Sequence, residues 1–129
     1  MNHQDIWYDQ KELTAVGVKV SRAVEEVLPE DLYCRTVVSV PVRHDTRCNY
    51  ADVVVELEDG YFKREDWSKY KTYLKHLFHT FEGAYPGVIC NFTYQDNAKR
   101  IILDNEKRFK HPADHDPNHP SKLVIFKPS

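Results

Sequence analysis

In the stretch from Phe62 to Phe81, apolar residues recur at Trp67, Tyr70, Leu74, Leu77, Phe78 and Phe81. That spacing keeps all six on one side of a helix with about 3.6 residues per turn. Asp59-Gly60 is a turn pair ahead of it, and Glu65 and Asp66 place anions where the first turn favours them. Gly83 and Pro86 supply the stop. The pattern predicts a helix that organises the core.

A second helical pattern spans residues 9–28, through Leu13, Val16, Val20, Val24 and Val27, with Asp9 as cap and Pro29 as stop. Its valines and Gly17 are weak helix formers, so packing must hold it. Residues 33–43 read as a strand with Val38, Val40 and Val42 on one face, and Pro41 marks it as an edge strand or one with a bulge. Residues 50–59 alternate: Ala51, Val53, Val55 and Leu57 on one face, Asp52, Val54, Glu56 and Glu58 on the other. Val88, Cys90, Phe92 and Tyr94 line one face of another strand, which the turn Gln95–Ala98 would return as a hairpin through Lys99–Leu103. Residues 104–121 read as a long polar loop rich in Pro and His, and residues 123–126 as a short strand at a sheet edge.

The expected fold is therefore α+β, in the order α-β-β-α-β-β-β: a mostly antiparallel sheet of about five strands with both helices on one face. The other face would be wet, presenting Asp52, Glu56, Glu58, Asn91 and Thr93. The 129 residues suit a single domain spanning 1–129, with residues 1–8 as a loose arm.

Charge and composition narrow the function classes. A net charge of -2 argues against a strongly basic nucleic-acid binder and against an acidic DNA mimic. Three cysteines without a C-x-x-C pair indicate a reducing compartment, so the expected location is the cytoplasm, or a host cytoplasm for a viral or phage protein. No apolar run is long enough to span a bilayer, and the polar N-terminus is no signal peptide.

Three clusters could carry chemistry. His111, His115 and His119 recur every four residues, interleaved with Asp114 and Asp116, a donor set that suits zinc or another divalent transition metal. Pro112, Pro117 and Pro120 oppose a continuous helix there, so the ordinary reading is a stiffened surface loop, and otherwise no cofactor is expected. Asp52, Glu56 and Glu58 suggest a metal-binding strand, but the sequence reads E-x-E where restriction-type nucleases use E-x-K, which favours a solvated face. Cys48 lies near Arg43, His44 and Arg47, which would lower a thiol pKa; the loop is a better anion-binding tip than a nucleophile site. Gly-rich phosphate loops and nucleophile elbows are absent from the sequence.

Binding features are more numerous. Arg64, Lys71 and Lys75, followed by His79, form either a solvated flank or a stripe for an anionic partner, with Tyr73 beside it. Ile6, Trp7 and Tyr8 either pack on the rest of the chain, if the arm is ordered, or form an exposed aromatic cluster at a partner-binding tip. The leading expectation is a small non-enzymatic macromolecule-binding protein of inhibitor or adaptor type. It would dock a protein partner through the sheet face, Trp7, Tyr8 and the basic residues Arg43, His44, Arg47, Arg64, Lys71 and Lys75. The alternatives are a metal-dependent nuclease or phosphoesterase built on His111, His115 and His119, a nucleic-acid-binding protein, and a self-associating structural component.

Overall fold

A computed structural model describes residues 6–31, 34–40, 47, 49–108 and 122–126 of the chain. Helix α1, Gln10–Val27, starts where Asp9 accepts a hydrogen bond from the Glu12 amide at 2.8 Å. This satisfies one of the donors that a helix start leaves open. Leu13, Val16, Val20 and Val24 are buried along one side, and the Leu28 amide closes the last turn onto Val24, next to Pro29. Strands β1, Cys34–Val40, and β2, Ala51–Leu57, pair antiparallel from Cys34↔Leu57 to Val38↔Val53. After a 3-10 turn, Asp59–Lys63, helix α2 runs from Trp67 to Ala84 and strand β3 from Val88 to Tyr94. Helix α3, Ala98–Arg108, follows, then strand β4, Lys122–Phe126.

Among the described residues the sheet has four strands in the order β3-β2-β1-β4. β4 is antiparallel to β1, and β3 is parallel to β2. A parallel neighbour cannot be reached by a tight hairpin, and here α2 provides the crossover. The class is α+β, as the sequence pattern indicates. The finer expectation of five strands and two helices on one face is corrected on three points.

First, Lys99–Leu103 is no returning strand but part of α3, which also takes in residues 104–108 of the expected loop. Ala98, Ile101 and Ile102 lie at spacings of three and four and turn one side of that helix onto Val37 and Val54 of the sheet. Second, the face expected to be wet is covered by α3, and both Asp52 and Glu56 are buried at 1% exposure. All seven residues of β2 are buried, with α1 and α2 over its other face. Third, β1 is an inner strand among the described residues rather than an edge, and Pro41 lies outside them.

The central helix also starts later than its apolar pattern suggests. Arg64 is extended (φ -71°, ψ 145°), so Phe62 and Lys63 belong to the separate 3-10 turn. Gly83 lies inside α2, and the left-handed position is Gly87, with φ +91°.

Candidate docking surface

Glu56 shows why one side of the sheet is closed. One carboxylate oxygen pairs with the Arg35 guanidinium, and the other accepts the Ala98 amide at 3.1 Å. Ala98 is the first residue of α3, where open amides and the helix dipole favour an anion. Arg35 reaches on to Asp96 at 3.3 Å, in the left-handed turn residue (φ 69°) that redirects β3 into α3. A buried charge thereby anchors α3 on the sheet. Glu56 is engaged structurally, and no group of three or more His, Cys, Asp or Glu residues able to hold a metal occurs among the described residues.

The described thiols are equally unsuited to chemistry. Burial, reinforced by Glu25, pushes the Cys34 thiol up to about 11. Burial, then Glu82 and Asp52, pushes the Cys90 thiol up to about 12. Near neutral pH the thiolate fraction of Cys34 then falls roughly 100-fold below that of an ordinary thiol, and that of Cys90 falls further. Peptide-resolved alkylation should therefore label both far more slowly in the native protein than in denaturant. Equal native and denatured rates at either residue would contradict its burial.

The open ground lies where α2 meets β3. The two run antiparallel, and their contacts march in opposite senses. Glu82 accepts the Cys90 amide at 3.2 Å, Trp67 meets Phe92 edge-on at 5.2 Å between ring centroids, and Phe62 meets Tyr94 at 4.2 Å. Residues four, seven and eleven before Glu82 are Phe78, Lys75 and Lys71, which places all four along one flank of the helix. Phe78 stands against Phe92 at 6.3 Å, which fixes that flank on the β3 side. Lys75 is exposed, and Lys71 half-buried. Phe62, Trp67 and Phe92 are half-buried, and Tyr94 is 47% exposed. The aromatics meet mostly edge-on or tilted, so they form one packed group along the sheet margin.

Among the described residues β3 is also a terminal strand. Gly87 accepts from the Ala51 amide of β2, so its backbone groups point inward. Alternation directs Ile89, Asn91 and Thr93 inward as well, and Cys90, Phe92 and Tyr94 outward. The bond from the outward Cys90 amide to Glu82 agrees with this parity. Asn97 takes the Tyr94 carbonyl at 3.2 Å.

Among the described residues the basic and aromatic candidates do not form one patch. Lys71 and Lys75 stand over the β3 margin, with exposed His79 one turn further on. Arg64 precedes the helix and is held by Asp66 at 3.1 Å and Asp31 at 3.5 Å, so its charge is engaged locally. Tyr73 is 48% exposed on a different side of α2, against Tyr70. Arg47 donates to the Trp7 carbonyl at 3.0 Å and lies 3.8 Å from Glu12, beside the start of α1. Lys99 and Arg100 are exposed on α3, across the sheet from α2.

Of the expected N-terminal arm, Tyr8 is a core residue at 5% exposure whose hydroxyl donates to the Pro86 carbonyl at 2.6 Å, and Ile6 packs against the same core. Trp7 is half-buried. Tyr8 is therefore no docking tip: its ring belongs to the apolar layer beneath α1 and α2. Arg43, His44, Cys48, His111, Asp114, His115, Asp116 and His119 lie outside the described residues.

Sequence reasoning missed Glu82, Phe62 and the outward edge of β3. Glu82 carried a signal: it is the lone carboxylate in a helix with three lysines and two histidines. The edge carried none, because strand order is not written in periodicity. Among the described residues no helix is long and apolar enough to cross a membrane. No protein-family model, no curated protein and no solved structure matches this chain.

Proposed function

We propose that the protein is a non-enzymatic binding module that docks a protein partner along the margin between α2 and β3. The observation that carries this reading is the half-exposed aromatic group Phe62, Trp67, Phe92 and Tyr94 with Lys71 and Lys75 on the adjoining helix flank. Rigid aromatic anchors beside flexible cations are what protein interfaces select, since rings bury much area at little entropic cost. The raised thiols and the tethered Glu56 support a binding role over a catalytic one.

Replacing Tyr94 by a photo-crosslinking phenylalanine analogue tests the proposal in an extract of the cells that make the protein. The same replacement at Leu103, 43% exposed on α3, serves as control. The expected result is one saturable protein adduct from position 94, competed by unlabelled protein and absent from position 103. Equal adducts from both positions would contradict the reading. Adducts to nucleic acid alone, lost on charge reversal of Lys71 and Lys75, would replace it by the nucleic-acid-binding alternative.

A further inference from the structure

We propose that the partner contributes an extended acidic segment that adds as a further strand beside β3. This rests on the docking reading above and specifies how the partner is held. The parity of β3 leaves a short outward ladder: the Cys90 carbonyl, both backbone groups of Phe92 and the Tyr94 amide. Among the described residues no strand pairs with them. At its two ends the ladder is closed, by Glu82 on the Cys90 amide and by the Asn97 amide on the Tyr94 carbonyl. An added strand therefore centres on Phe92.

Charge selects the occupant. Lys71 and Lys75 lie on α2 between Trp67 and Phe78, whose rings both meet Phe92, so they stand over the Phe92 part of the edge. Neither has an ion-pair partner among the described residues. A segment with carboxylates on alternate positions would place each of them on the α2 side, where the lysines are. The rings of Phe92 and Tyr94 on that side would cover the stems of the incoming side chains. Glu82 repels such a segment at the Cys90 end, which sets its register.

The same lysines disfavour a second copy of this chain. Antiparallel pairing of two β3 edges about a two-fold axis puts both α2 helices on one face of the joined sheet. Lys71 and Lys75 of one copy would then meet those of the other across the seam, a like-charge arrangement used to block edge-to-edge association. Main-chain bonds with side-chain selection on alternate positions constitute strand addition, an established way of recognising extended peptides.

The probe is a blocked octapeptide alternating threonine and glutamate, with a threonine–lysine octapeptide as control, added at millimolar concentration to the full-length chain. Amide exchange is read residue by residue. The expected result is roughly tenfold slower exchange at Phe92 and Tyr94 with the glutamate peptide and none with the lysine peptide. The protection should be lost in Lys71→Glu/Lys75→Glu, and also in Lys75→Glu alone, where the side chain is exposed and folding is unaffected. Unchanged exchange, equal protection by the lysine peptide, or protection that survives charge reversal overturns the proposal. Protection without peptide that grows with protein concentration also overturns it, and gives the edge to a second copy. Should the Tyr94 adduct form while the peptide protects nothing, the docking surface stands and strand addition falls.

Discussion

Replacing Glu56 by alanine should destabilise the protein by about 3 kcal/mol, because it removes the buried carboxylate that the Arg35 guanidinium pairs with and opens the first amide of α3 in a single step. The carboxylate is 1% exposed and Arg35 is 23% exposed, so the pair has little water to fall back on. Its second oxygen holds Ala98 at 3.1 Å, which couples the loss to the docking of α3 and to the cover over Val37 and Val54. For a chain of this length the loss corresponds to a melting temperature lower by roughly 10 °C. Glu56→Gln keeps an acceptor for Ala98 and loses only the charge, so it should cost less. Urea unfolding of both variants reads the difference. A loss near zero for Glu56→Ala would mean that the residue faces water, as its alternating strand pattern suggests when read alone.

Gly87→Ala should cost a comparable amount, about 3 kcal/mol, for a different reason. Gly87 holds φ +91° at the turn from α2 into β3, a conformation L side chains rarely adopt. An added methyl would also drive into the Asn49 carbonyl, which is backbone and cannot swing aside. The same residue accepts from Ala51, so relieving the clash would break the first bond between β2 and β3. Gly83→Ala is the internal contrast. It lies within α2 with open space around it, and alanine is the better helix former. Its expected effect is neutral to stabilising. If the two substitutions have equal effects in urea unfolding, the turn geometry assigned to Gly87 is wrong.

These two positions show what the sequence could and could not convey. α1 and α2 were legible because their apolar residues repeat with one period over about five turns, and Asp9 is a local capping signal that the fold uses as written. β1 and β2 were legible as strands by their alternation. Their surroundings were not. Asp52 and Glu56 on alternate positions look like a solvated face, and only a helix arriving from more than forty residues away, with its amide for Glu56, makes burial tolerable. α3 is hard to read because Ile101 and Ile102 favour strands individually, while the spacing of Ala98, Ile101 and Ile102 that marks a helix is short.

The docking surface was half legible. Lys71 and Lys75 share a helix flank, and that follows from spacing. That the flank overlooks a sheet edge depends on β3 being parallel to β2 and outermost, which no local pattern specifies. Spacing alone groups Arg64 with them. The break between the 3-10 turn and α2 removes it from that flank, and Asp66 and Asp31 engage its charge.

Residue-resolved amide exchange of the isolated protein at low concentration tests the open β3 edge most directly. Slow exchange is expected at Ile89, Asn91 and Thr93, which bond to β2, with Cys90 retarded by Glu82 and fast exchange at Phe92 and Tyr94. Phe92 and Tyr94 as slow as their neighbours would mean that the edge is already covered, and would contradict β3 as a docking strand.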